Sequence, residues 1–394
     1  MKKISYFVLA MGFVVLFGAC KTDGKDTKDV ASISIDSLLQ IRYQKLLEYP
    51  VDSMGFPRNY ARETKSIKKV PSKDWTSGFF PGNLWHLYQL TGNPEFKERA
   101  AEWTVYMERE KLNGGTHDMG FKIFCSFGEG LKVAENQHYK DVIVASAKTL
   151  STRYSEAVGS LRSWDFNRDI WEFPVIVDNM MNLELLFEAT RISGDSTYHN
   201  IAVSHANTTL KNHFREDHSS YHVVVYDTIT GGVNDKVTHQ GLSDGSAWTR
   251  GQAWGIYGYT MCYRYTKDPA YLAQAKASTD FYLNHPKLRE DGIPYWDFDD
   301  PAIPNAPRDV SAATIIASAL YELSKYDSDP RYIAYADKVL KTLQSEEYVL
   351  EESFAAPFVL DHSTGHWPKK DEMDEPIVYG DYYFLEALLR QKNL

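Results

Sequence analysis

Two groups of residues carry the chemistry of a binding and proton-transfer site. The first is residues 239–254, in which His239, Gln240, Trp248, Arg250, Gln252 and Trp254 crowd between glycines. Tryptophan faces stack on apolar ring surfaces, a guanidinium is a planar fork matched to a carboxylate, and amides donate to hydroxyls. Together they describe a pocket for an acidic sugar. The second group is a pair of aspartates. Asp118 lies in the glycine-flanked loop 114–121, and Asp178 follows an apolar run, 171–177, and opens a helical pattern. A carboxyl buried beside apolar residues keeps its proton to higher pH, and two carboxyls in unequal surroundings can divide the work, one protonated and one ionised. Each residue also has a plainer reading: the tryptophans as core, Asp178 as a helix N-cap, Asp118 as a turn residue.

The elements that must position these groups are helical. Apolar residues recur at helix-face spacing from Ile33 onward, as in Leu38, Leu39, Ile41, Leu46 and Leu47. One phrase then returns: Thr91-Gly92-Asn93-Pro94-Glu95-Phe96, Ser193-Gly194-Asp195-Ser196-Thr197-Tyr198, Thr266-Lys267-Asp268-Pro269-Ala270-Tyr271 and Asp327-Ser328-Asp329-Pro330-Arg331-Tyr332. Each closes an apolar run, turns on Gly, Asn or Asp, and starts another helix; Pro94, Pro269 and Pro330 follow an Asn or Asp cap, where a missing N–H costs nothing. A weaker copy stands at Glu135-Asn136-Gln137-His138-Tyr139. The intervals hold two helices each, so the chain reads as a series of helical hairpins of unequal length. Six of them closed into a ring give an all-α (α/α)6 barrel, a toroid with its long loops around a cavity on one face; an irregular bundle is the alternative. Residues 221–227, with a turn at Thr230-Gly231-Gly232, suggest one short β-hairpin.

A net charge of −10 argues against a nucleic-acid surface and requires any anionic ligand to meet a local cationic pocket. Residues 1–19 read as a signal peptide, with Lys2 and Lys3 before an apolar run too short to span a bilayer. Leu16-Phe17-Gly18-Ala19-Cys20 resembles a lipobox, so Cys20 is the expected lipidated first mature residue. Residues 20–32 are polar and charged and read as a flexible tether, leaving 33–394 as the catalytic domain. The expected location is the bacterial cell envelope, lipid-anchored, on the periplasmic side or outer surface, with the lipid as the only membrane contact. Cys125 and Cys262 are expected as buried free thiols, and no Cys/His spacing suggests a metal.

Six segments occur in order: residues 74–82, 117–121, 178–183, 239–254, 308–313 and 379–383. Together they resemble the unsaturated glucuronyl hydrolases of glycoside hydrolase family 88, over about residues 35–393. The resemblance implies an (α/α)6 barrel, no metal or organic cofactor, and oligosaccharide substrates with a Δ4,5-unsaturated uronic acid at the non-reducing end. It implies Asp178 as general acid/base and Asp118 as its partner carboxylate. His222, Gln240, Trp248, Arg250 and Trp254 match positions lining the uronate pocket, and Trp75 and Phe79 match aromatic contacts to the sugar. Some members carry Arg where this chain has Ser246; a small hydroxyl is expected to leave space and a donor for a sulfated neighbouring sugar, pointing to heparin- or chondroitin-type disaccharides. The alternatives are an unsaturated rhamnogalacturonyl hydrolase acting on pectin fragments, and a non-catalytic glycan-binding lipoprotein. His362, His366, Lys369 and Lys370 read as solvated loop residues, with contact to a substrate's reducing-end sugar or sulfate as the alternative, and Asp309 as a helix cap.

Overall fold

The computed structural model describes Met1 and residues 34–394, so the rest of the leader, Cys20 and the tether lie outside the described residues. The recurring turn phrases fall where one helix hands over to the next. Asn93, Asn136, Asp195, Asp268 and Asp329 each accept from a backbone N–H two or three residues on, at 2.9–3.2 Å. Such a cap contributes about 1 kcal/mol and fixes where the second helix begins. Gly92 and Gly194 end the preceding helices with φ of 72° and 75°, which a glycine adopts without strain.

Among the described residues these turns punctuate twelve α-helices. They are α1 (Ile35–Glu48), α2 (Phe79–Thr91), α3 (Pro94–Val105), α4 (Glu129–Val133), α5 (Gln137–Ser151) and α6 (Leu183–Ser193). The rest are α7 (Ser196–Asn212), α8 (Thr249–Thr266), α9 (Pro269–Leu283), α10 (Val310–Leu323), α11 (Pro330–Leu343) and α12 (Val378–Lys392). α2 packs on α4, α6 on α8, α8 on α10 and α10 on α12, the segment 120–128 ahead of α4 bridges α2 and α6, and α12 returns to α2, which closes the ring. The odd-numbered helices lie outside them. Burial follows the same division: every residue of α10 is buried, whereas α11 buries Tyr332, Tyr335, Ala336, Val339, Leu340 and Leu343, one face at helical spacing. The fold is the (α/α)6 barrel expected from the hairpin pattern. Arg42 of α1 helps seal it, donating to the carbonyls of Phe358 (2.8 Å) and Phe354 (2.5 Å) near the other end of the chain.

Several local features depart from the helical reading. A π-helical segment, Gly120–Gly128, leads into α4, and a 3-10 turn, Val177–Asn182, leads into α6, so Asp178 starts a tight turn rather than an α-helix. The expected hairpin exists as Val223–Tyr226 against Val233–Val237, with Phe173–Ile176 added as a third antiparallel strand. A second hairpin, Phe56–Ala61 with Ser66–Val70, was not legible because a bulge between Pro57 and Asn59 breaks its alternation.

Candidate active site

Short turns join α2, α4, α6, α8 and α10 each to the outer helix that follows, so these inner helices point the same way. Their N-termini and the long loops therefore share one end of the barrel. That end carries Trp75 ahead of α2, Asp118 ahead of the π segment, Asp178 ahead of α6, Trp248 and Arg250 at the start of α8, Asp309 capping α10 and Tyr379 in the first turn of α12. Helix N-termini present partial positive charge and free N–H groups, which favours an anionic ligand in an otherwise acidic chain.

The two aspartate segments meet backbone to backbone. A Cβ on Gly120 would lie 2.6 Å from Asn182 Cα, and Asn182 Oδ1 accepts from Phe121 N–H at 3.0 Å. Only glycine lets the Asp118 loop approach the Asp178 turn this closely. The carboxyl of Asp178 is 11 % exposed, and its Oδ2 has no hydrogen-bond partner. Burial pushes its pKa up to about 7; Arg250 and the Trp254 indole N–H oppose this, and the charge of Asp118 adds to it. An acid of that strength gives and takes a proton readily near neutral pH. Beside it, His222 Nδ1 accepts from the N–H groups of His239 (2.9 Å) and Gln240 (3.1 Å). Burial, reinforced by His239 and His366, holds the His222 pKa well below its ordinary value. The neutral ring must then carry its proton on Nε2, 3.7 Å from Asp178 Oδ2. Asp118 Oδ2 accepts from Thr116 Oγ1 at 2.7 Å, and its Oδ1 lies 3.2 Å from His117 Nε2.

Trp75 is half-buried, with Tyr379 at 4.9 Å and Phe121 at 5.4 Å between ring centroids. The expectations for five residues need correction. Phe79 is 0 % exposed behind Trp75, Phe121 and Tyr379, so it backs the Trp75 ring and offers no face of its own to a ligand. Trp254 is also 0 % exposed and Trp248 is buried against His222, so neither offers an open stacking face; Trp254 contributes its N–H to the field at Asp178. The terminal nitrogens of Arg250 are occupied. Nη1 binds Asp309 Oδ2 and the Thr364 carbonyl, both at 2.6 Å, and Nη2 binds the Gly365 carbonyl. A fully buried guanidinium must be paired, so the fork is not held free for a ligand carboxylate. Ser246 Oγ donates to Asp297 (2.8 Å) or the Ser243 carbonyl (2.9 Å) and accepts from Ser243 N–H, which leaves no spare donor for a sulfate. Gln240 lies in the site, its amide on the Gly365 carbonyl at 3.3 Å.

Several residues enter the site beyond the catalytic and substrate-binding set expected from sequence. Asp309 is the expected cap, accepting from Ser311 N–H, but it also pairs with Arg250 across 59 residues of sequence. Trp164 stacks on the exposed Phe166 and reaches His239 (5.1 Å) and His222 (5.9 Å). The His366 ring is 4.9 Å from that of His239, so His366 belongs to the site and is not a solvated bystander. His362 is different, held by Asp374 at 2.6 Å. Aromatic density in residues 164–171 was the available signal for the rim; nothing local marked the Arg250–Asp309 pair. Cys125 and Cys262 are buried free thiols, as expected. Among the described residues no group of three or more His, Cys, Asp or Glu side chains is placed to hold a metal ion.

Comparison with known proteins gives the same family from sequence and from fold. Over the whole chain and 99 % of its counterpart, the sequence is 60 % identical to an unsaturated glucuronyl hydrolase of Formosa agariphila. It is 33 % identical to an unsaturated chondroitin disaccharide hydrolase of Streptococcus pyogenes, covering 94 % of this chain and 93 % of that one. A crystal structure of an unsaturated glucuronyl hydrolase specific for heparin superposes with a TM-score of 0.87 at 41 % identity, over 91 % of this chain and 97 % of that chain. A sequence model of Glycosyl Hydrolase Family 88 matches residues 54–365, and the chain belongs to that family.

Proposed function

We propose that this enzyme removes a Δ4,5-unsaturated uronic acid from the non-reducing end of lyase-generated oligosaccharides, with glycosaminoglycan disaccharides of heparin or chondroitin type as the substrates. The observation that carries this reading is Asp178, a carboxyl pushed up to about 7 by burial and set against the Asp118 loop. Such a uronate contains a vinyl ether, C4=C5–O. Protonated Asp178 delivers its proton to C4, leaving an oxocarbenium-like C5, and Asp118, ionised, faces the developing positive charge. Water attacks C5 and passes a proton to the Asp178 carboxylate, whose ionised form is met meanwhile by His222 Nε2–H. The hemiketal opens and expels the linked sugar. No direct displacement occurs at C1, so carboxylate separation does not set the stereochemical outcome here.

The glycosaminoglycan assignment is supported by the heparin-specific structural relative and the chondroitin disaccharide relative, not by Ser246. Cys20 is proposed to carry a lipid, with residues 20–32 tethering the barrel at the cell envelope. The reaction is tested by incubating wild type, Asp178→Asn and Asp118→Asn with sulfated and unsulfated unsaturated disaccharides while following the ultraviolet absorbance of the vinyl ether. Asp178→Asn is expected to lose about 10²–10⁴-fold in kcat and Asp118→Asn to be severely impaired. Near-normal turnover by Asp178→Asn would refute the mechanism, and turnover confined to pectin-derived substrates would move the enzyme to another polymer.

A further inference from the structure

Beside Asp118 and against the turn that carries Asp178 lies a buried imidazole that the vinyl-ether chemistry leaves without a task. His117 is shielded from solvent, with Nε2 3.2 Å from Asp118 Oδ1 but off the alignment of a finished hydrogen bond. Its ring also interacts with the side chain of Asn179, the residue after Asp178. The Asn179 amide nitrogen is committed to the Leu161 carbonyl at 3.1 Å, so its oxygen, which has no donor, is the atom left for the imidazole. His117 therefore stands between two acceptors. Burial pushes its pKa down, against the pull of Asp118, so it has a single proton to place. An ionised carboxylate is a stronger acceptor than a neutral amide oxygen. Thr116 already serves Asp118 Oδ2, which leaves Oδ1 to the imidazole.

We propose that His117 is a positioning residue for the reaction: its Nε2–H holds Asp118 ionised and oriented, so that the shared proton resides on Asp178. The inference rests on the roles proposed for the two aspartates. It accounts for a buried imidazole with no hydrogen-bonded partner, placed where it touches both carboxylate segments. The titratable and charged groups around the pair are Glu110 and Lys122, Arg153 at the end of α5, His205 on α7, and Asp178 with Arg250 and His222 behind it. Lys122, fully buried 3.5 Å from Glu110, adds positive field at Asp118 but makes no hydrogen bond to it.

The test is kcat and KM against pH on an unsaturated disaccharide for wild type, His117→Leu and His117→Gln, with Asp178→Asn alongside. His117→Leu is expected to move the acidic limb of kcat/KM upward by roughly one pH unit and to lower kcat roughly 10–100-fold, with KM little changed. His117→Gln, whose amide N–H can reach the same oxygen, restores the limb to near its wild-type position. An unmoved limb in His117→Leu, or equal shifts in both variants, overturns the inference. Histidine nitrogen NMR on wild type gives an answer even if the leucine variant does not fold: an Nε2–H tautomer at His117 supports the inference and an Nδ1–H tautomer refutes it. Normal turnover by Asp178→Asn would instead sink the aspartate roles, which separates that failure from a failure of His117 alone.

Discussion

Asp178 ordinarily would ionise near 3.8, and in the folded barrel it does so near 7. Because the folded value is raised, its contribution to stability is complete below about pH 4 and drains away as pH rises toward 7, after which the deficit is constant. Asn cannot ionise and is nearly isosteric. Asp178→Asn is therefore expected to gain stability over wild type between pH 4 and 7 and to keep a lead on the order of 2–4 kcal/mol at pH 8, while losing turnover. Urea unfolding of both proteins at pH 4 and pH 8 measures it, and the same difference at both values would mean that the carboxyl is not held in its protonated form. Comparing the variant with wild type cancels Asp381, which burial also raises to about 7 although it only receives the N–H groups of Val359 and Leu360. The contrast shows how far residue-level reading reaches. Sequence pointed to Asp118, Asp178 and Gln240 through the segments that contain them, and to His222 through the family resemblance alone. It misjudged Phe79, Trp254 and Ser246 because exposure and spare hydrogen-bonding capacity depend on neighbours far away in the chain, such as Tyr379 and Asp297.

At the scale of elements, the caps were legible and the irregular turns were not. Asn93, Asp268 and Asp329 act on N–H groups two residues away, a contact that sequence contains in full. The π segment before α4 and the 3-10 turn before α6 depend on packing between them, so residues 114–121 read only as a loop and Asp178 as the start of an ordinary helix. Their junction is the element on which the chemistry depends. Gly120→Ala would put a methyl group 2.6 Å from Asn182 Cα, a backbone atom that cannot swing aside. The Asp118 loop must back away from the Asp178 turn. We expect a cost of about 1–3 kcal/mol in stability, as for overpacking elsewhere, and a fall in kcat/KM of about 10²-fold from carboxylates displaced by an ångström. The apparent acid strength of Asp178, read from the basic limb of the pH profile, should increase as Asp118 withdraws. Wild-type kinetics with lowered stability would show that the contact is structural only.

For the molecule as a whole, the ring of helices is closed by elements that lie within residues 35–394. Residues 35–394 form one compact unit, and Arg42 of α1 already locks that unit to the 351–358 region through backbone carbonyls. The site lies among the N-termini of inner helices, every one of which starts at or beyond Phe79. The proposed anchor should therefore set where the enzyme is without altering what it does. A stretch the length of residues 20–32 spans at most about 45 Å at full extension, enough to hold the barrel clear of a membrane surface yet confined to its vicinity. Cys20→Ser, expressed in a bacterial host that processes lipoproteins, is expected to shift the protein from the detergent phase to the aqueous phase in a phase-separation assay. Its kcat/KM on a soluble unsaturated disaccharide should remain within about twofold of wild type, since one lipid chain or two add membrane affinity and no contact to the site. If wild type itself stays in the aqueous phase, the lipid proposal fails. If Cys20→Ser loses activity in step with its release, the leader region contributes to the barrel in a way that the closed ring does not provide for.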